Sequence, residues 1–259
     1  MGDDVLDVLR LAVDRKPVFD AFHDGGLTRS GIENALSVSP STAHRVAKEL
    51  VSYGIVVRRD GVYELTPFGR VVARETERAV NTIATANRLS PLLDTLDDIN
   101  GELGMFSDGT VTKPEPGDPH RPIRRFLTPV PEASHIRELS PTAPEPSFQH
   151  VLYERAQEEL QAELLYPPDV VDQLRAEDQE AFRRATASGN LRLRVVPRPP
   201  FRLLLTDDRV YVGGYNMDIS ALEIVVDTDN ADAIAWATRC FEKRWQSATP
   251  YEEYRANGD

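Results

Sequence analysis

The sequence is poor in cysteine, in lysine and in long apolar runs. Its 259 residues include one cysteine, Cys240, so neither an internal disulfide nor a cysteine-based zinc site can form. No apolar run approaches the ~20 residues that a membrane-spanning helix needs. The first ten residues, MGDDVLDVLR, are acidic, unlike those of a secretory signal or a transit peptide. These absences predict a cytoplasmic protein without a membrane partner.

Basic residues are outnumbered, and nearly all of them are arginine. The chain has 42 acidic and 30 basic residues, a net charge of −12, and its only lysines stand at positions 16, 48, 113 and 243. An acidic, lysine-poor chain stays hydrated in concentrated salt, which indicates a halophilic archaeon as the source. A GC-rich genome, which also favours arginine over lysine, is the alternative explanation.

The first 68 residues predict a series of helices followed by a hairpin. Apolar residues at helical spacing indicate a helix over residues 3–14, and another follows Pro17. Ser30 and Glu33 fit a capping box that would begin a short helix. Gly-rich and Pro-rich positions delimit these elements, so the segment is expected to be a small domain of its own.

The next helix and hairpin have the clearest local signals. Ser39 is predicted to cap a helix that has Pro40 at its first position and ends near Gly54. Its predicted buried side chains are Ala43, Val46, Ala47, Leu50 and Val51. Two short strand-like runs flank Asp60-Gly61, a strong hairpin signal, and Thr66-Pro67 is expected to cap the helix that follows.

The rest of the chain predicts an α/β domain. A long helix is expected from Gly69 to Arg88 and a second piece from Ser90 to Ile99. Nine of the 19 prolines lie between Ser107 and Ser147, which indicates a loop-rich segment with one strand at residues 123–127. Helices and strand-like runs then alternate, which indicates a sheet covered on both faces. The expected divisions are 1–68, 69–106 as linking or dimerising helices, and 107–259.

Three helices and a hairpin in this order predict a winged helix, whose last helix can enter the major groove of DNA. Between Thr28 and Arg70 there are six bases and four acids, so this segment is +2 and the remainder of the chain is −14. Because phosphate contacts need cations only where the DNA lies, this charge suffices for a few contacts. The predicted DNA-binding residues are Ser41, Thr42, His44, Arg45 and Lys48 of the helix, and Arg58, Arg59 and Tyr63 of the hairpin. A winged helix that binds protein instead of DNA is the alternative.

The segment SVSPSTAHRVAKELVSYGIVVRRDGVYELTPFGRVV resembles archaeal and bacterial winged-helix regulators. The segments PFRLLLTDDRVYVGGYN and ADAIAWATRCFEKRWQSATP are similar to the sensor domain of methanogenesis-regulator-like archaeal proteins, which share their layout with TrmB-type regulators. The resemblance implies an α+β protein with an N-terminal winged helix-turn-helix, a linking helix and a C-terminal α/β sensor domain of degenerate phospholipase-D-like layout. It further implies a transcription regulator with an effector-binding or dimerising domain.

Enzymatic chemistry has little support in the sequence. Phospholipase-D-type catalysis needs His-x-Lys-x4-Asp, and none of the five histidines is followed by lysine two residues later. No phosphate-binding loop, Gly-x-Ser-x-Gly motif or metal-ligand spacing occurs, so neither catalytic residues nor a metal or cofactor are expected. A degenerate phosphodiesterase-like enzyme is the second alternative to a regulator.

A sensor site and a dimer are the remaining expectations. Arg194, Arg198 and Arg202 alternate along a strand-turn-strand, and Tyr215 and Asn216 end the next strand; together they would suit an anionic small effector. The alternative is that these arginines form the solvent face of amphipathic strands. The long helix from Gly69 would pair with its twin in a homodimer, or would pack against the C-terminal domain of its own chain.

Overall fold

The structure, a computed structural model, describes residues 2–22, 25–93, 103–216 and 221–258. The chain forms two compact units, residues 1–83 and residues 84–259. The predicted continuation of the second linking helix, residues 94–99, lies outside the described residues.

The N-terminal unit has the predicted order of helices followed by a hairpin, and the helix expected over residues 3–14 is present in front of the three helices of the winged helix. Its elements are α1 (Gly2–Asp14), α2 (Lys16–Ala21), β1 (Leu27–Thr28), α3 (Arg29–Leu36), α4 (Pro40–Ser52), β2 (Val56–Arg59), β3 (Val62–Leu65) and the helix α5 (Pro67–Arg88), which continues into the second unit. The strands form a three-stranded antiparallel sheet in the order β1-β3-β2. This arrangement is a winged helix.

Local signals correctly delimited α4 and the wing. The Ser39 side chain accepts a hydrogen bond from the Thr42 amide, and Pro40 is the first helical residue. Gly54 follows the helix with a φ of 68°. At the tip of the hairpin Asp60 and Gly61 both have positive φ, 49° and 85°, as a tight turn between two right-twisted strands requires.

Two predictions for this unit are wrong in detail. The cap of α3 is Thr28, whose hydroxyl accepts from the Gly31 amide, so the helix begins earlier than the Ser30–Glu33 capping box implied. Val51 is 42% exposed, because it follows the last core position of α4, Leu50, on the adjacent face. The other four predicted core residues of α4 are fully buried.

The C-terminal unit is an eight-stranded mixed sheet with helices on both faces. Its helices are α6 (Ser90–Leu93), α7 (Arg121–Leu127), α8 (Pro146–Glu158), α9 (Pro168–Glu177), α10 (Gln179–Ala187), α11 (Ala231–Ser247) and α12 (Tyr251–Gly258). Its strands are β4 (Thr110–Thr112), β5 (His135–Leu139), β6 (Gln161–Tyr166), β7 (Leu191–Val195), β8 (Arg202–Leu205), β9 (Val210–Asn216), β10 (Ala221–Thr228) and β11 (Thr249–Pro250). The fold class is therefore α+β, as predicted.

The sheet order is β11-β7-β6-β5-β8-β9-β10-β4. Strands β5, β6 and β7 are parallel and are joined by helices. On the other side of β5 the sheet continues with β8, β9, β10 and β4, each antiparallel to the strand before it. The carboxyl ends of the parallel strands, the start of β8, the end of β9 and the start of β10 consequently lie at one edge of the sheet.

Each face of the sheet has its own apolar core. One core contains residues of α7, α8, α9 and α10, among them Phe126, Phe148 and Phe182. The other is built around α11, with Trp236 and Phe241, and includes Leu89 and Leu92. Alternation of helices and strands therefore predicted the two covered faces correctly.

The Pro-rich segment is more ordered than its composition indicated. Residues 121–127 form α7, not the strand expected at residues 123–127, and His135–Leu139 is a strand of the parallel part of the sheet. Ile123 and Phe126 lie three residues apart on the buried face of α7. This spacing suits a helix, but so short an apolar run is equally compatible with a strand. Among the described helices, none has the length and apolarity to cross a membrane.

Candidate nucleic-acid interface and ligand cavity

The exposed face of α4 carries the predicted helix contacts. Ser41, His44, Arg45 and Lys48 recur at intervals of three or four residues, and all four are exposed, while the opposite face is buried in the core of the unit. Neither Arg45 nor Lys48 forms an ion pair within the described part of the chain. Their cationic groups are therefore available to a partner.

Thr42 lies beside this face instead of on it. Its hydroxyl is 3.1 Å from the Ser39 hydroxyl, and its side chain is half-buried. Ser41 is also close to Ser39, with 3.0 Å between the two hydroxyl oxygens. Pro40 has no amide hydrogen and the Thr42 and Ala43 amides donate to Ser39, so the Ser41 amide is the donor that this end of α4 can offer to a phosphate.

The wing presents two arginines to solvent. Arg58 and Arg59 end β2, and the Arg59 side chain is 71% exposed, at 3.8 Å from the carboxylate of Glu64. This long contact between exposed groups contributes little, so Arg59 remains free to move to a phosphate.

The structure corrects the role predicted for Tyr63. The ring is 6% exposed and belongs to the core of the N-terminal unit, with the Arg58 guanidinium 5.8 Å from its centroid. Tyr63 lies opposite Arg58 across the hairpin. It therefore supports the base of the wing and positions Arg58, and its ring is not presented to a ligand.

The five predicted effector residues do not form one cluster. The Arg194 guanidinium lies 4.7 Å from the Trp245 ring centroid and donates to the Trp245 carbonyl oxygen at 2.8 Å. Arg198 is bound to the Pro141 carbonyl oxygen and to the Asp169 carboxylate. Asn216, at the end of β9, is half-buried. The prediction of a joint arginine site for an anion is therefore wrong.

Arg202 and Tyr215, in contrast, are neighbours in a buried polar network. Arg202 is 1% exposed and donates through Nε (2.8 Å) and Nη2 to the carboxylate of Glu138, which is fully buried. Arg202 Nη1 also donates to the Tyr215 hydroxyl oxygen at 3.3 Å. For Arg202, the alternative of a solvent-facing strand residue is excluded.

The network continues on both sides of this ion pair. The Tyr166 hydroxyl donates to Glu138, and the Thr142 hydroxyl donates to Tyr215 at 2.9 Å. Burial raises the pKa of Tyr166 well above its usual value, and the Glu138 charge adds to the increase, so Tyr166 stays protonated. Burial acts most strongly, to lower the pKa of Arg202, but Glu138, Tyr215 and Tyr166 together outweigh it and the net shift of the pKa is upward.

A cavity of about 430 Å³ adjoins the network. Arg202, Tyr215 and Thr142 line it together with apolar residues such as Ile123, Ala143 and Leu222, and with His120 and Glu145. It lies at the sheet edge where the carboxyl ends of the parallel strands meet the start of β8. Ligands of open α/β sheets generally bind at this edge, and the cavity has the size of a small-molecule site.

Sequence reasoning missed Glu138, Tyr166 and Thr142. Glu138 stands in a strand that was not predicted, and its partner Arg202 is 64 residues away, so no local pattern connects them. Within the described residues, no group of three or more His, Cys, Asp and Glu side chains could hold a metal ion.

Two protein families match the chain. Residues 119–247 match the middle domain of the methanogenesis regulatory protein FilR1, and residues 3–88 match the HVO_A0261 N-terminal domain. These matches confirm the resemblance to archaeal regulators that the sequence suggested. No curated protein matches the chain in sequence.

Three solved structures are similar to the chain. TrmBL2, an archaeal chromatin protein, is 13% identical over 90% of this chain and 92% of its own, with a TM-score of 0.44. Nuc of Salmonella typhimurium, a phospholipase D family member, is 16% identical over 55% and 98%, with a TM-score of 0.43. NucT of Helicobacter pylori is 12% identical over 55% and 98%, with a TM-score of 0.42.

Proposed function

We propose that this chain, which belongs to the archaeal regulator type defined by the FilR1 middle domain, is a transcription regulator that binds double-stranded DNA in the cytoplasm through its winged helix. The observation that carries the proposal is the exposed face of α4, where Arg45 and Lys48 have no carboxylate partner among the described residues. In the major groove these side chains would contact base edges and phosphates, and Arg58 and Arg59 of the wing would lie against the adjacent backbone.

Electrostatics would restrict binding to this face. The segment from Thr28 to Arg70 has a charge of +2 on a chain of −12, so DNA is repelled elsewhere. The attraction is small and is screened further by salt, so complementary contacts must supply most of the specificity.

The C-terminal unit would bind a small effector in the cavity beside Arg202. Two of the predicted effector residues, Arg202 and Tyr215, line this cavity, and the enclosed polar groups among apolar walls are typical of a ligand site. Arg194 and Arg198 have other partners and take no part in this site.

The regulator would act as a homodimer that pairs through α1. Val5, Leu6, Leu9 and Val13 form an apolar stripe on α1 that is exposed, whereas Leu11 and Ala12 pack into the core. In the sequence, residues 3–7 contain three aspartates, and residues 10–16 contain three basic residues and one aspartate. An antiparallel pair of α1 helices would bury the stripe and place opposite charges together, which favours a second copy as the partner.

A double variant tests DNA binding. In Arg45→Ala with Lys48→Ala, affinity for the sites recovered by genome-wide mapping is expected to fall by about 30-fold or more, because each lost contact is worth roughly 1–3 kcal/mol. Affinity is measured at the salt concentration of the native cytoplasm. The matched control, Arg74→Ala with Arg78→Ala, removes the same charge from exposed positions of α5 and is expected to change affinity by about twofold or less.

Equal losses in the two double variants would mean that only net charge matters. Unchanged affinity in the α4 variant would refute DNA recognition by this face and favour the protein-binding alternative. Cleavage of phosphodiester substrates by the purified protein would favour the enzyme alternative.

A further inference from the structure

The cavity beside Arg202 differs in charge from a site for an anionic metabolite. We infer that it binds a small molecule without negative charge that offers both a carbonyl-type oxygen acceptor and an N–H or O–H donor. This inference rests on the effector-binding part of the proposed function and specifies the ligand class of the same site.

The floor of the cavity has no uncompensated positive charge. The Arg202 guanidinium is held by Glu138 through two nitrogens, and both side chains are essentially inaccessible to solvent. A ligand carboxylate beside this pair would meet one positive and one negative charge of equal size. An anion is disfavoured there, because no free cation offsets the free-energy cost of removing the anion from water.

Tyr215 supplies a neutral donor on the same floor. Its hydroxyl oxygen accepts from Thr142 at 2.9 Å and from Arg202 at 3.3 Å, so its own proton is not used in either bond. The side chain is 8% exposed and lines the cavity. Within the described residues no acceptor is seen for this buried donor, which favours a ligand oxygen at this position.

Glu145 also lines the cavity and gives it an acceptor. It is the N-cap residue of α8, but its side chain makes no capping hydrogen bond. It also has no ion-pair partner within the described ranges. Its carboxylate would repel an anion and accept a hydrogen bond from a ligand N–H or O–H. Most of the other lining residues, such as Ile123, Ala143 and Leu222, are apolar, with His120 as an exception, so the ligand body would be largely apolar as well.

Three probes of the same shape separate the charge classes. Benzamide is neutral and has both an acceptor and a donor, benzoate is an anion with acceptors only, and benzamidinium is a cation with donors only. Each is titrated into the full-length protein at high KCl and followed by amide chemical shifts of Thr142 and Leu222. Benzamide is expected to bind about tenfold more tightly than benzoate, one lost or repelled polar contact being worth roughly that factor, whereas benzamidinium loses the contact with Tyr215 but can pair with the Glu145 carboxylate.

Two variants assign this preference to the residues named. Tyr215→Phe keeps the ring and removes the donor, and is expected to weaken benzamide about tenfold. The control Tyr153→Phe removes another buried hydroxyl, which contacts Gln149 and does not line the cavity, and is expected to leave binding unchanged. Glu138→Gln leaves Arg202 uncompensated, so the order is expected to reverse in favour of benzoate.

The probe titrations and the DNA-binding measurements can fail independently of each other. Benzoate binding as tightly as benzamide in the native protein, or no shift at Thr142 and Leu222 with any probe, would overturn the inference. If Glu138→Gln does not fold, Tyr215→Phe and its control decide alone, and equal losses in the two tyrosine variants would also overturn it. DNA affinity measured on the same samples tests the winged helix separately, since its loss would leave the probe preference unaffected.

Discussion

At the scale of single residues, the C-terminal unit depends on one buried ion pair. Arg202 and Glu138 join β8 to the neighbouring strand β5, and the guanidinium also lies 4.4 Å from the Phe126 ring centroid. A buried pair of this kind is expensive to desolvate and is held by the bonds around it. Replacing one of the two residues should therefore lower the free energy of unfolding strongly.

Arg202→Met is expected to lower the free energy of unfolding by about 3–5 kcal/mol, because it leaves the Glu138 carboxylate buried without a cation. Urea unfolding followed by tryptophan fluorescence measures the change, since both tryptophans lie in this unit. The control Arg198→Met breaks an ion pair whose arginine is 42% exposed and should cost about 1 kcal/mol or less. Equal costs would show that burial of the Arg202 pair has no special energetic role.

At the scale of elements, the start of α5 is packed directly on the backbone of the wing. A Cβ added at Gly69 would lie 1.9 Å from the Ile55 carbonyl oxygen. The Gly69 amide donates to the Thr66 hydroxyl at 2.9 Å, and that hydroxyl donates to the Gly54 carbonyl oxygen at 2.7 Å. The end of α4, the wing and α5 are thus fixed to one another where only glycine fits.

Gly69→Ala is expected to destabilise the N-terminal unit by about 2–4 kcal/mol, because the methyl group collides with backbone that cannot rotate away. Hydrogen exchange of residues 40–65 should become faster, while tryptophan fluorescence of the C-terminal unit stays unchanged. Gly104→Ala is the control, since nothing lies within 4 Å of its Cβ position, and its effect should be within about 0.5 kcal/mol. Native-like exchange in Gly69→Ala would contradict the close packing of α5 on Ile55.

At the scale of the whole molecule, apolar exposure is unevenly distributed. Among the described side chains, the exposed large apolar residues all lie between Val5 and Ile83, and four of them are on α1. The C-terminal unit of the same acidic chain has none among its described residues. A concentrated apolar stripe on an otherwise charged surface indicates an interface.

Leu9→Glu is expected to shift the protein from dimer to monomer, with the dissociation constant rising at least about tenfold, because a carboxylate would be placed in the paired stripe. Size-exclusion chromatography with light scattering at high KCl measures this, and the fold should persist because Leu9 is 48% exposed. Ile83→Glu, on the exposed side of α5, tests the long-helix interface expected from the sequence. Dissociation by Ile83→Glu alone would assign the dimer to α5, and a monomeric native protein would refute the dimer.

Local chemistry made the N-terminal unit largely predictable. Ser39 and Pro40 begin α4, Gly54 follows it, and Asp60-Gly61 turns the wing, each through interactions within a few residues of chain. Failures occurred where two local signals competed: Thr28 caps α3 in place of Ser30, and residues 123–127 suit a strand or a helix equally well. The predicted DNA contacts remain predictions, with Tyr63 excluded from them by its burial.

The sequence by itself determined the winged helix, the two-faced α/β layout and the concentration of bases on one face, because periodicity, caps and turns act over short distances. Tertiary structure alone decided the cavity beside Arg202 and the charge of its lining. Arg202 differs from Arg194 and Arg198 only in what surrounds it, and its partner Glu138 comes from a strand 64 residues away. The charge of a cavity is a sum over groups brought together by folding, so no pattern along the chain could have shown that this arginine is already neutralised.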